Sequence, residues 1–225
     1  PWHARRTAHP VIDLSLLRLP TFNTGVLAGS LFRIGVGATP FLLPLLLQLG
    51  FGMNPLQSGL LTCATAVGAM FMKTLTTVIL RRFGFRRVLT ANALIASAAV
   101  AVYGLFTAAT PHLVIFLVLL VSGCLRSLQF TSLQAISFAE VTRETMSQAS
   151  SVASMAQRLA QSLGVAIGAY ALQISGLVQG HAGVVVADFP PAFIAVALLS
   201  AVSVFLHASL PAGAGAEVSG SRRGR

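Results

Sequence analysis

The chain has 225 residues, 55% of them hydrophobic and only 9% charged, with a mean hydropathy of +0.82; an ordinary soluble domain carries roughly 25% charged residues. Too few polar side chains remain to coat a water-facing globule, and disorder and collagen-like repeats fail on composition too. The formal charge of +10 is compatible with a nucleic-acid binder, but such a protein does not carry this much apolar sequence, so no nucleic-acid partner is expected.

A membrane-spanning helix needs about 20 mostly apolar residues to cross a core of about 30 Å. Six stretches qualify, at about 22–49, 56–80, 88–109, 112–137, 148–175 and 189–210, and the predicted fold class is an all-α integral membrane protein. Barrel strands would be shorter and would alternate in polarity. Residues 1–21 read as a cytoplasmic linker with Arg5, Arg6 and Arg18. The first span holds Arg33 near mid-depth, Gly25 and Gly29 at helix-packing spacing, and Pro40 and Pro44. Those prolines remove two backbone donors and predict a kink.

Gly50, Gly52, Asn54 and Pro55 break the chain before the second span. Lys73 lies about two turns from the end of that span; snorkelling to the surface and facing the bundle interior both fit it. Arg81, Arg82, Arg86 and Arg87 surround Gly84 before a third span without charge. Pro111 precedes the fourth span, where Ser122, Arg126 and Gln129 share one helical face.

Glu140, Arg143 and Glu144 mark the next loop. In the fifth span Ser147, Ser151, Ser154, Arg158, Gln161, Val165 and Gly168 form a largely polar stripe, which points toward a cavity or another helix. Gly164 and Gly168 make a G-x-x-x-G that predicts close helix packing. Gly180, Gly183, Asp188, Pro190 and Pro191 precede the last span, whose His207 reads as interfacial. Residues 211–225 form a basic tail with Arg222, Arg223 and Arg225. Cys63 and Cys124 sit in apolar runs, away from any ligand partner, and read as packing residues.

Eleven of the fifteen basic residues lie in the linker, the tail and two of the loops. With six spans all of these segments fall on one side, which the positive-inside rule makes the cytoplasm; the predicted location is a bacterial inner membrane. Arg33, Lys73, Arg126 and Arg158 remain inside spans, where charge is expensive and usually faces a cavity. Arg33 and Arg126 read as cavity lining or ion pairing, with hydrogen bonding to helix-end carbonyls as the structural alternative. The chain divides into two triplets of spans. In each, the first two spans carry one basic residue and the third none, a pattern that fits two inverted three-helix repeats.

None of the five acidic residues, Asp13, Glu140, Glu144, Asp188 and Glu217, lies deep in a span. Proton coupling usually needs a membrane-embedded carboxylate or His, so this segment is not expected to run a proton cycle alone. An intramembrane serine hydrolase needs Ser and His at matched depth, and a zinc protease needs H-E-x-x-H. Neither pattern is in the sequence; no catalytic residue, metal site or cofactor is expected.

Four stretches carry a family resemblance. Residues 10–18 (Pro-Val-Ile-Asp-Leu-Ser-Leu-Leu-Arg) resemble a basic linker ahead of six helices, and 43–60, with Gln48, Gly50, Met53, Pro55 and Gly59, a first periplasmic turn. Lys73 and 82–89 (Arg-Phe-Gly-Phe-Arg-Arg-Val-Leu) resemble a helix end with its cytoplasmic loop, and 154–168 a penultimate helix. Together they resemble the second half of a major facilitator superfamily transporter, within it the fourteen-span drug:proton antiporters that include multidrug exporters. The resemblance departs at Thr77 and Arg81, where the loop signature G-x-x-x-D-R-x-G-R-R has Gly and Asp, so it assigns no gating chemistry to that loop. The usual Arg-Gln of the penultimate helix is reversed as Gln157 and Arg158.

The resemblance implies the C-terminal half of an exporter that moves small amphipathic substrates by alternating access, driven by protons. A missing N-terminal half would supply the acidic coupling residue and the opposite cavity wall. The expected cavity residues are Arg33, Arg126, Gln129, Arg158 and Gln161; a wall with Arg and no carboxylate suits anionic or neutral cargo. The alternative is a free-standing six-helix membrane protein, an assembly subunit or a homodimeric pore. The upstream reading frame separates them: the exporter predicts about eight further spans with an acidic first helix, by the usual span length, and a start codon just before Trp2 would favour the alternative.

Overall fold

A computed structural model describes residues 19–180 and 183–211. The linker 1–18 and the tail 212–225, with their basic residues and with Asp13 and Glu217, lie outside the described residues, as does His181. Seven α-helices follow in order: α1 (Pro20–Gly37), α2 (Thr39–Leu45), α3 (Pro55–Phe83), α4 (Phe85–Tyr103), α5 (His112–Ser137), α6 (Met146–Gln179) and α7 (Phe189–Ala208). They make six segments long and apolar enough to cross a membrane, and the described residues contain no strand.

The first span is broken, as its prolines dictate. α1 stops at Gly37, α2 begins beside Pro40, and a π-helical turn, Leu46–Gly50, follows Pro44. Without an N–H, Pro40 cannot engage the carbonyl four residues earlier; that Val36 carbonyl accepts from Ala38 instead. Downstream of Pro44 the bonding lengthens, and the Phe51 N–H reaches the Leu46 carbonyl at 3.2 Å. The second span starts on a reciprocal cap: Gln57 N–H donates to the Asn54 side chain at 2.8 Å, and Asn54 N–H to the Gln57 side chain at 3.1 Å. The third span is shorter than the hydropathy run, because α4 ends at Tyr103 and 104–110 turn back before Pro111. α6, at 34 residues, is about 50 Å long and outruns a 30 Å core.

The main packing pairs are α3 with α5, α1 with α6, α1 with α7, α4 with α5, and α4 with α7. Exchanging the first three spans for the last three maps this set onto itself, as two inverted repeats require. The exposed faces differ in kind. Beyond Arg86 and Arg87 at its start, α4 exposes only apolar residues such as Leu94 and Ile95, and α7 only ones such as Leu198 and Phe205. α3 and α6 expose Lys73, Thr74, Arg158 and Gln161. Apolar faces suit lipid, whereas polar ones need another protein surface or water.

The largest apolar core, including Leu42, Leu47, Tyr103, Leu119 and Phe193, sits toward the end away from the Arg81–Arg87 loop. At the loop end it gives way to two smaller clusters, one around Leu89 and Ile136, the other joining Phe22 and Val26 to Ala149 and Val152. There Glu140 ties the α5–α6 connection to the start of α1, accepting from the Thr21 hydroxyl at 2.7 Å. His207, one residue before the end of α7, has its side chain fully buried in the bundle.

The α3–α5 crossing depends on a reciprocal pair of glycines that the sequence pattern did not single out. A Cβ on Gly123 would strike the Thr65 backbone, and one on Gly68 the Leu120 carbonyl. Gly123→Ala should therefore destabilise the bundle by about 1–3 kcal/mol. Gly59→Ala, where a Cβ meets nothing within 4 Å, should be neutral or stabilise by up to about 1 kcal/mol. Thermal unfolding of the two variants in detergent checks the opposite signs.

Candidate functional site

α1, α5 and α6 form an open cavity of about 470 Å³, lined by Arg33, Arg126, Phe130, Arg158, Gln161 and four neighbours from α1 and α6, with Pro40 of α2 at its edge. Four of the five residues expected from sequence meet there. Each arrives by helical geometry. On α6, Gln161 and Ser162 follow Arg158 by three and four residues, about 60° to one side and 40° to the other of the same face. The G-x-x-x-G of the same helix lies next to Gln161, about 80–120° round from Arg158 toward the first span. A Cβ on Gly164 would meet the Ile34 carbonyl, and one on Gly168 the Ala38 side chain at 2.9 Å, so these glycines set how closely α6 approaches the first span.

Gln129 is elsewhere. It is fully buried between α5 and α4, where its side-chain carbonyl accepts from Asn92 Nδ2 at 2.8 Å and its Nε2 donates to the Leu89 carbonyl at 3.2 Å. Asn92 Nδ2 also donates to the Leu125 carbonyl at 2.8 Å. The reason is angular. From Arg126, Gln129 and Ser122 turn about 60° and 40° to one side, whereas Phe130 turns about 40° to the other. α4 covers the first side and the cavity opens on the second. The expected polar stripe of α5 is thus divided between a helix interface and a cavity wall.

Arg33 is the deepest cation, 7% exposed. Its guanidinium carbon lies 5.3 Å from the Phe130 ring centroid, within cation–π range, and Phe130 is held edge-on by Phe32 at 6.0 Å. A Cβ at Gly29 would stand 2.7 Å from Arg33 Nη1. The Gly25 and Gly29 pair therefore does two things: Gly25 lets Ser137 approach, and Gly29 leaves room for the arginine. The Arg33 Nε has no hydrogen-bond partner. Arg33 also borders a smaller polar pocket toward the loop end, lined by residues including Gln134, Ser137, Ser154 and Gln157.

Arg126 is half-buried and Arg158 exposed. Arg126 also borders a narrow pocket with Thr39, Tyr103 and Ser122. Lys73 is exposed on α3 and lines none of these cavities. Phe130 is the functional candidate that the sequence reading missed; its signal was its position four residues after Arg126, on the same helical face. Among the described residues no group of His, Cys, Asp and Glu is arranged to hold a metal ion.

A bundle of six apolar spans in two inverted triplets, with an arginine-lined cavity between the first, fourth and fifth, is half of a major facilitator fold. The chain belongs to the Major Facilitator Superfamily, which it matches over residues 25–222. It is similar to proteins named MdtD, whose names attach them to multidrug resistance. Identity is 32% over the whole chain to the proteins of Klebsiella pneumoniae subsp. pneumoniae and of K. pneumoniae strain 342, and 33% over 81% of the chain to that of Salmonella paratyphi A. The chain spans about half the length of these curated relatives, 48% of the Klebsiella proteins and 38% of the Salmonella one.

The division of the α5 stripe can be read chemically. In a full-length chain with Cys63 and Cys124 replaced by Ala, a water-soluble thiol reagent should modify Gln161→Cys readily and Gln129→Cys at least about tenfold more slowly, as burial of the latter excludes water. Equal rates would place both on one surface.

Proposed function

We propose that the chain is the C-terminal half of an inner-membrane exporter, which moves small amphipathic substrates outward by alternating access at the expense of proton entry. The supporting observation is the exposed cation Arg158, beside Gln161 and the half-buried Arg126, in the middle of apolar helices. Guanidinium groups are not left against lipid tails, so this wall needs a second protein surface. A second half of similar size provides it, in keeping with the length of the relatives.

A second copy of the same chain is a poorer cover. It would bring three arginines from each copy together without a carboxylate, and like charges repel strongly in a low-dielectric interior. The proton-carrying acid belongs, in this reading, to the other half, since the carboxylates Glu140, Glu144 and Asp188 all lie outside the cavity. The basic Arg81–Arg87 loop faces the cytoplasm, by the positive-inside rule.

Arg126→Ala in the full-length protein tests the site. Efflux from cells lacking other pumps should fall about tenfold or more, the scale of a lost charge-assisted contact, and a protonophore should abolish wild-type efflux. Unchanged export by the variant would remove Arg126 from the transport path.

A further inference from the structure

We infer that the cavity selects an amphipathic anion, a compound with one acidic group on an apolar body. This rests on the transport reading above and adds the substrate's charge. Three of the ten lining residues are arginines and none is acidic. Gln161 and Ser162 add neutral hydrogen-bonding groups, while Phe130, Val36, Val165 and Pro40 supply an apolar wall. That combination matches both parts of an amphipathic anion: planar guanidinium donors recognise a carboxylate, sulfonate or phosphonate, and the apolar wall covers the body of the molecule.

The deepest of the three arginines is built for this role. Arg33 is 7% exposed, its Nε has no hydrogen-bond partner, and Phe130 occupies one face of its guanidinium. A buried charge without a carboxylate is costly, and an aromatic face offsets only part of that cost. Among the described residues the carboxylates lie outside this cavity. Glu140 accepts from Thr21 at the start of α1. Asp188 is fully buried and accepts from the Val185 N–H and from Gln179. Glu144 lies exposed in the α5–α6 connection. A cationic substrate would meet three like charges on this wall, whereas an anion supplies the counter-charge that the wall lacks.

The test uses the full-length protein reconstituted in phosphatidylcholine vesicles, with two probes that share an apolar body: 1-naphthalenesulfonate and (1-naphthylmethyl)trimethylammonium. The sulfonate should be transported saturably and the ammonium should not. Arg33→Gln and Arg126→Gln should each lower sulfonate transport about tenfold or more, and Arg33→Lys should restore part of it. Arg126→Glu should shift preference toward the ammonium, a gain that misfolding cannot produce.

Transport of the ammonium in preference to the sulfonate would overturn the anion assignment and leave the transport reading standing. Sulfonate transport unchanged in both Gln variants would do the same. Movement of neither probe would overturn both. Adding phosphatidylglycerol distinguishes a free solute from a lipid headgroup: sulfonate transport that persists supports the solute, and loss by competition would assign the site to the headgroup and overturn it.

Discussion

A guanidinium group inside a membrane must find water, a counter-charge or an aromatic face, and that requirement organises this bundle. Arg33 is buried where α1 meets α5, above Phe130 and beside the space that Gly29 leaves. Arg126 and Arg158 reach the same cavity from α5 and α6. The helices that carry these cations are the ones turned toward a shared cavity. The outward faces of α4 and α7 within the spans are apolar, as contact with lipid demands.

Holding such helices together in lipid relies on packing more than on the hydrophobic effect, because hydrocarbon tails are as apolar as the side chains they touch. The two equivalent crossings, α1 with α6 and α5 with α3, use the same device: a glycine on each partner opposite the other's backbone. Gly37 faces Gln161 and Gly164 faces Ile34 in the first, and Gly123 faces Thr65 and Gly68 faces Leu120 in the second. Backbones this close leave little gap for lipid or water. Buried polar side chains then fix which helices pair: Asn92 and Gln129 join α4 to α5, and Ser97 and Ser200 join α4 to α7 at 2.9 Å.

The cavity inherits its shape from these contacts. Gly164 and Gly168 draw α6 against the first span, and the break at Ala38 between α1 and α2 places Pro40 on the cavity wall. The Arg158 side of α6 is consequently left facing away from the packed interior. The same geometry that buries Arg33 leaves Arg158 for a partner surface, so one half-bundle presents a graded series of cations, from the buried Arg33 through the half-buried Arg126 to the exposed Arg158.

Much of this was legible in one dimension. Span number, the broken first helix and the two-triplet pattern follow from hydropathy, proline chemistry and basic residues, because the bilayer imposes one length and one polarity rule on every segment. Charge within spans and helical spacing also singled out four residues that line the cavity. It placed Gln129 on the wrong face and passed over Phe130, because helical periodicity gives angles within one helix and not which neighbour covers each angle. The sequence by itself determined that the chain crosses a membrane six times with charge inside the spans. Only the tertiary structure decided that α4 takes Gln129 while the cavity takes Arg126, since about 60° of helix rotation separates a helix interface from an open wall.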